Sequence, residues 1–295
     1  MTDVQSLTLA DGSTLQYFID DDAPSDAALL VYHHGTPAAG PLDDDLLVPA
    51  RDAGLRIVEL VRPGYGGSTR QPGRTIADVV PLVEALADHL GHERFVSLGW
   101  SGGGPHVLAT AAMLPDRCAA GLCLAGIAPY EADGLDYLAG MGEDNIAEFG
   151  AALTGPAELE AFLSEAGAAL ANVTGPEVNE AMSSLLPDVD KAHLTGEGAE
   201  GLAAELRWSL STGIWGWFDD DLAFVQPWGF SLDDIRVPVQ VWQGSEDLMV
   251  PFAHGRWLAA HVPTAAPTLA DGEGHLSLVH RIGEGMAALR AHLDA

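Results

Sequence analysis

The chain has 295 residues, 47% of them hydrophobic, and carries 43 acidic against 13 basic side chains, which gives a formal net charge of −30. This length and apolar content are sufficient for a large hydrophobic core, which we assign to one elaborated domain with an insertion. The strong negative charge argues against nucleic acid and anionic membranes as partners and favours a neutral or cationic small-molecule substrate.

The sequence also carries signals of compartment and redox state. It has no apolar stretch long enough for a membrane span, and residues 1–4 lack the basic start of a signal peptide, so we expect a cytoplasmic protein. Cys118 and Cys123 lie five positions apart on one extended segment, too far apart for a disulfide. We therefore expect two buried free thiols; whether the chain forms a homodimer is left open.

Elements follow one another in an alternating order. Residues 6–9 and 14–19 flank Asp11-Gly12 and predict an antiparallel hairpin. Further strands and helices then alternate, which predicts an α/β fold with a mostly parallel central sheet and helices on both faces. The predicted strands are 28–32, 56–61, 95–98, 120–125, 239–242 and 267–269, and the predicted helices are 43–53, 75–90, 106–114, 251–261 and 276–293.

Residues 129–234 interrupt this alternation. They contain no convincing strand, only amphipathic stretches separated by Gly-Pro breaks, which predicts a helical cap inserted into a core of residues 1–128 and 235–295. Aromatic residues are concentrated in the second half of this segment, where they form either the cap's own core or the roof of an apolar pocket. Trp215 and Trp217 are our candidate substrate contacts.

Three runs of aspartate, at residues 20–22, 43–45 and 219–221, resemble metal sites at first sight. None has the alternating ligand spacing of a calcium loop. We expect them to be solvated acidic loops and helix starts, and we predict no metal site.

The sequence Gly99-Trp100-Ser101-Gly102-Gly103 lies directly between a predicted strand and a predicted helix. This is the pattern of a nucleophile elbow, in which the serine adopts a strained conformation and small residues flank the turn. Trp100 either packs under the turn or lines the substrate pocket, and we keep it as a candidate substrate contact.

Asp247 and His275 follow Ser101 in the chain order Ser, Asp, His, and each lies just after a predicted strand. With these motifs the sequence resembles the α/β-hydrolase superfamily, specifically its capped serine hydrolases of the esterase and proline iminopeptidase branch. The resemblance covers nearly the whole chain. It implies that His275 is the base that activates Ser101 and that Asp247 orients it, with neighbouring Glu246 as the alternative acid.

The same resemblance implies an oxyanion hole. One backbone N–H comes from Gly102, and the second from Thr36, since His33-His34-Gly35-Thr36-Pro37 is similar to the His-Gly-x-Pro signature of capped members. His33 and His34 point to opposite faces of an extended segment, so they are expected to support this loop rather than share a metal. His34 is also kept as a candidate substrate contact. The loop from Arg62 to Ser68 resembles another superfamily loop, with a structural role.

Serine at the elbow favours attack on an acyl carbon, whereas the related dehalogenases and epoxide hydrolases use aspartate. We therefore predict a serine hydrolase of small hydrophobic carboxylic esters that works through an acyl-enzyme and needs no metal or organic cofactor. Alternatives with the same triad are a proline iminopeptidase, a lactonase and a C–C bond hydrolase. Thr36-Pro37-Ala38 departs from the His-Gly-Gly-Pro-Gly loop of iminopeptidases. A ligand-binding protein with slow turnover is the alternative from another class.

Overall fold

The computed structural model describes residues 2–294, and one eight-stranded sheet forms its centre. Its strands are β1 (Val4–Thr8), β2 (Thr14–Ile19), β3 (Ala28–His33), β4 (Leu55–Leu60), β5 (Phe95–Trp100), β6 (Cys118–Leu124), β7 (Val239–Gly244) and β8 (Ala265–Ala270). The order across the sheet is β1-β2-β4-β3-β5-β6-β7-β8. β1 and β2 form an antiparallel hairpin and β2 joins β4 antiparallel, while all later neighbours pair in parallel. The predicted hairpin and mostly parallel sheet are confirmed.

Eleven α-helices accompany the sheet in the described part of the chain. They are α1 (Asp44–Asp52), α2 (Val80–His89), α3 (Gly104–Met113), α4 (Glu143–Thr154), α5 (Pro156–Leu170), α6 (Gly175–Ala181), α7 (Asp188–His193), α8 (Gly196–Ser209), α9 (Trp215–Phe224), α10 (Phe252–His261) and α11 (Ile282–Ala291). Short 3-10 helices cover residues 76–79, 101–103, 232–234 and 277–281. Two predicted helices therefore begin with a 3-10 turn, at residues 76 and 277.

Both faces of the sheet are covered, because side chains alternate along its central strands. In β3, Leu29 and Val31 pack into a core with α2, α3 and α10, whereas Leu30 and Tyr32 pack into a second core with α1 and α11. Each such fully buried aliphatic side chain stabilises the fold by about 1.5 to 3 kcal/mol relative to exposure. The parallel strands end at one edge of this covered sheet, where ligands bind in open α/β folds.

Helices α4 to α9, residues 143–224, are inserted between β6 and β7, and we call this segment the helical insertion. It has two small apolar clusters of its own, one around Leu206 and one around Leu163 and Trp217. Phe224, at its end, packs into the core beside the sheet instead. The described residues 129–234 contain no strand, but the domain boundaries at 129 and 234 stay a prediction.

The expectation of solvated acidic runs is wrong at two places. Residues 219–221 are all buried, and so is Asp20, which Arg51 contacts with two nitrogens at 2.6 and 2.7 Å. Only the run at 43–45 behaves as expected: Asp43 accepts the amides of Asp45 and Leu46 at the start of α1. Asp20, Asp219 and Asp220 are tolerated in the interior because each pairs with an arginine that lies far away in the sequence.

Two smaller features concern the cysteines and the helices. Cys118 and Cys123 are buried in β6 as free thiols, as predicted, and burial raises the pKa of each to about 12. Among the described residues, no helix has the length and apolar character required to cross a membrane.

Candidate active site

Ser101 occupies the sharp turn between β5 and α3. Its φ of 54° lies in the left-handed region, which non-glycine residues rarely adopt and which marks stored strain at functional positions. A Cβ on Gly99 would collide with the carbonyl of Gly103, and one on Gly103 would collide with the carbonyl of His33. The flanking glycines are therefore required for this turn, as the sequence predicted.

Asp247 and His275 meet at the carboxyl edge of the sheet. His275 Nδ1 lies 2.7 Å from Asp247 Oδ2, and both side chains are buried. The second oxygen of Asp247 accepts the amides of Met249 and Val250 at 2.9 and 2.8 Å. These contacts hold the Asp247 carboxyl in place. Glu246, the alternative acid, is exposed.

The other ring nitrogen of His275 makes no hydrogen bond to the described residues. With Nδ1–H donating to Asp247, this buried Nε2 is an acceptor. Burial lowers the pKa of His275, but the carboxylates of Asp247 and Asp190 outweigh it and leave the pKa above 6.5. Trp100, directly before Ser101, contacts the imidazole with 5.2 Å between ring centroids. The elbow and His275 are thus brought together.

A cavity of about 300 Å³ opens between the elbow and the helical insertion. The core contributes Ser101, Gly102 and Thr36 to its wall. The insertion contributes mostly apolar side chains, including Phe149, Phe162, Leu170, Trp217 and Phe224. The sequence analysis offers two roles for these aromatics, the core of the cap or the roof of a pocket. Trp217 has both, because it belongs to an apolar cluster of the insertion and also lines this cavity.

Gly102 and Thr36 lie side by side at the bottom of the cavity. A Cβ on Gly102 would collide with Thr36 Oγ1, so the two residues are in close contact. They come from the turn after β5 and the loop after β3, which are adjacent strands whose ends pair through His33 and Gly99. The residues that the sequence predicts for the oxyanion hole therefore lie next to each other and line the same cavity as Ser101.

Arg62 fixes the Thr36 loop from below. Its guanidinium donates to the carbonyls of His34 and Gly35 at 2.6 and 2.8 Å and to Thr36 Oγ1 at 2.9 Å, and Thr36 Oγ1 donates to Asp220 Oδ2 at 2.8 Å. Asp220 closes the network with an ion pair to Arg62 at 2.6 Å. A carboxylate of the helical insertion therefore holds the candidate oxyanion loop through an arginine of the core.

The structure places the four candidate substrate contacts in different surroundings. Only Trp217 lines the cavity at Ser101; Trp215 instead stacks on Arg70, with the guanidinium 4.0 Å from its ring centroid. His34 is fully buried with both nitrogens engaged, Nδ1 with the Gly35 carbonyl and Nε2 with the Arg62 amide, so it supports the loop. Trp100 faces a second cavity of about 450 Å³ on the side of α1 and α8.

Sequence reasoning missed a pair of carboxyls in the cavity at Ser101, Glu148 of α4 and Asp221 of α9. The two carboxyls line the same wall, and Trp217 Nε1 donates to Glu148 Oε1 at 2.8 Å. Burial raises the pKa of Glu148 to about 7, and burial together with Glu148 raises that of Asp221 well above its ordinary value. Two facing carboxylates cannot both ionise cheaply, so we expect the two groups to titrate as a pair.

The family model of the alpha/beta hydrolase fold matches residues 28–281. The chain therefore belongs to the α/β-hydrolase family. Among curated relatives, a pimeloyl-[acyl-carrier protein] methyl ester esterase of Aromatoleum aromaticum is 30% identical over 258 residues, covering 83% of this chain and 90% of that protein. A bifunctional esterase/perhydrolase of Acinetobacter calcoaceticus is 30% identical over 125 residues, 42% of this chain and 45% of that protein. These similarities indicate a hydrolase.

Solved structures show the same fold over the whole chain. An alpha/beta hydrolase fold protein from Nakamurella multipartita superposes with a TM-score of 0.63 and 26% identity, covering 98% of this chain and 99% of that one. A thermophilic esterase from Thermogutta terrifontis superposes with a TM-score of 0.67 at 19% identity, covering 99% and 98%. At that identity the second similarity concerns the fold alone.

Proposed function

We propose that this protein is a serine hydrolase of carboxylic esters, with Ser101 as nucleophile, His275 as base and Asp247 as the orienting acid. The observation that carries the proposal is the buried His275–Asp247 pair, which leaves Nε2 free beside the strained turn that presents Ser101. An unactivated serine is a weak nucleophile, and this arrangement supplies the base that it needs.

The reaction proceeds in two halves. Ser101 Oγ bonds to the acyl carbon while its proton passes to His275 Nε2, and the negative oxygen formed is held by the amides of Gly102 and Thr36. His275 then gives the proton to the leaving alcohol as the ester C–O bond breaks. Water attacks the acyl-enzyme in the same way, its proton passing through His275 to Ser101, and the carboxylic acid leaves.

The shape of the cavity indicates the substrate. Its insertion side is mostly aromatic and aliphatic, which favours a hydrophobic acyl or alcohol group of modest size. The esterase names of the relatives agree with ester cleavage. Lactones and C–C bonds of diketone-like substrates use the same triad chemistry and form the comparison set in any substrate survey.

One observation favours a second candidate function, the hydrolysis of amine-bearing esters or amides. Asp221 is buried at the cavity wall, and neither of its oxygens accepts a hydrogen bond from the described residues. Together with Glu148 it would hold a negative charge, toward which the described residues direct one hydrogen bond, from Trp217 Nε1 to Glu148. A substrate ammonium would pair with that charge.

Intact-mass detection of a fluorophosphonate adduct tests the triad. The parent protein should gain the mass of one adduct, Ser101→Ala should gain none, and the parent should turn over short-chain and medium-chain aryl esters steadily. Absence of an adduct on the folded parent would contradict the assembled triad. An adduct without steady ester turnover would instead favour the slow-turnover ligand-binding protein.

A further inference from the structure

Asp190 is a buried carboxylate of the helical insertion that contacts the loop carrying His275. It lies on α7, and its oxygens accept three consecutive backbone amides of the core. Oδ2 accepts His275 N at 2.8 Å, while Oδ1 accepts Leu276 N at 3.0 Å and Ser277 N at 2.8 Å. Three charge-assisted bonds to adjacent amides fix the position of this backbone strongly.

The fit between Asp190 and the loop depends on the residue before the histidine. A Cβ on Gly274 would collide with the Asp190 carboxylate, so the glycine makes the close approach possible. Gly274 N itself donates to Ser277 Oγ at 2.8 Å, which turns the amides of the loop toward one point. The loop is shaped to receive a carboxylate from the insertion.

We propose that Asp190 is a positioning residue for His275: it holds the backbone of the histidine loop and places a fixed negative charge near the imidazole. Asp247 contacts the ring, whereas Asp190 contacts the main chain, so the two carboxylates constrain the histidine independently. This inference rests on the proposed function, because a positioned histidine matters only if it serves as the base.

If Asp190 had a purely structural role, it would hold the loop without affecting the pKa of His275. The charged groups around His275 argue against such a role. Burial lowers the pKa of the imidazole, and the Asp247 carboxylate and then the Asp190 carboxylate raise it. The charged or titratable groups on the packed segments are Glu246, Asp247, Asp188, Asp190, Lys191, His193, Glu273, His280 and Arg281. Of these, Asp247 and Asp190 act on the titration of the ring.

Asp190→Asn separates charge from shape. The amide oxygen can keep the bonds to Leu276 and Ser277, but its NH₂ group would face the His275 N–H, so the contact to the histidine is lost. We expect kcat on an aryl ester to fall roughly tenfold to a hundredfold through misplacement of the base. We also expect the acidic limb of the kcat/KM profile to move to lower pH, because the Asp190 carboxylate raises the pKa of His275.

Asp188→Asn is the matched control, because Asp188 is exposed two residues earlier on α7 and undergoes the same change of charge. It should leave both kcat and the limb unchanged. Asp190→Glu keeps the charge but presses a longer side chain against Gly274, so it should lower kcat and leave the limb in place. Circular dichroism establishes folding, and Asp190→Ser, with a smaller acceptor, replaces Asp190→Asn if that variant does not fold.

The outcomes separate the inference from the proposed function. If the parent protein hydrolyses the ester and Asp190→Asn has the limb of the parent, the charge role of Asp190 is wrong whatever happens to kcat. If both the parent and Ser101→Ala fail to react with the fluorophosphonate, the triad itself is wrong. If the acidic limb of the kcat/KM profile moves to lower pH in Asp190→Asn but not in Asp188→Asn, the positioning role of Asp190 is supported.

Discussion

Asp220 and Asp221 are neighbours on α9 and both are buried, yet their surroundings are opposite. Asp220 pairs with Arg62 and Arg74, each at 2.6 Å, and accepts the Tyr65 hydroxyl at 2.8 Å. Asp221 has no hydrogen-bond donor among the described residues and faces the carboxyl of Glu148. Successive helix positions point in different directions, so one side chain meets the arginines of the core and the next meets the cavity.

The comparison shows that burial alone does not determine the charge of a carboxyl. Burial raises the pKa of Asp220, but Arg62 and Arg74 outweigh it and hold the pKa well below 3.8. Burial also raises the pKa of Asp221, and Glu148 raises it further. Asp220 is therefore a charged structural group beneath the Thr36 loop, and Asp221 is a protonatable group available to a ligand.

The largest effect should come from Asp220→Asn. This change leaves the buried guanidiniums of Arg62 and Arg74 without their counter-charge and weakens the support of the Thr36 loop. We expect the free energy of unfolding to fall by about 3 to 5 kcal/mol, as when one partner of a buried ion pair is removed. Urea unfolding at pH 7, followed by tryptophan fluorescence, measures this loss.

Asp219→Asn is the control for the same substitution on the same helix. Asp219 pairs with Arg70, whose side chain is 30% exposed and can be hydrated once the pair is broken. Its loss should cost about 1 kcal/mol. Equal losses for the two variants would contradict the special role of the Arg62–Asp220–Arg74 network.

The sequence predicts the sheet, the elbow and the residues proposed for the triad, because each depends on local patterns: alternation, strained glycine turns and loops after strands. Ser101, Asp247 and His275 follow strands that end at one edge, so topology alone brings them together. The roles of Asp190, Asp220 and Asp221 could not be predicted. Each depends on a partner remote in the chain, and the helical insertion has no repeating pattern that sets its register against the core.

The second prediction concerns Asp221, the member of the comparison that faces the cavity. If Asp221 and Glu148 pair with a substrate ammonium, the protein should favour an amine-bearing aryl ester over its uncharged isostere by roughly tenfold in kcat/KM. The double variant Glu148→Gln/Asp221→Asn removes both carboxyls of the pair and should abolish most of this preference while leaving the uncharged ester unaffected. Equal kcat/KM for the two esters in the parent protein would overturn the amine-bearing candidate without affecting ester hydrolysis itself.

The pH dependence of this preference for the amine-bearing ester sharpens the test. Glu148, whose pKa is about 7, ionises as pH rises, so the advantage of the amine-bearing ester should grow from pH 6 to pH 8. His275, whose pKa is raised above 6.5, also changes charge with pH, but it affects both esters equally. The ratio of the two kcat/KM values therefore reports the carboxyl pair and not the base.

The smallest expected effect is on stability, in Glu148→Gln. A carboxyl whose pKa is higher in the folded than in the unfolded protein binds more protons when folded, so it makes stability fall as pH rises. For Glu148 this loss should occur between pH 4.5 and about 7. In Glu148→Gln the neutral amide would keep the Trp217 bond and donate to Asp221. Between pH 5 and pH 8 the free energy of unfolding of this variant should therefore fall by about 1 to 2 kcal/mol less than that of the parent protein.

Urea unfolding at these two pH values measures this difference, with Glu165→Gln, an exposed glutamate on α5, as the control. The control should show the pH dependence of the parent protein. If Glu148→Gln shows it too, Glu148 is already ionised in the folded protein at pH 5, and its pKa is not raised by burial. The charge of Glu148 would then raise the pKa of Asp221 at every pH above 5, and the contrast between Asp221 and Asp220 would persist.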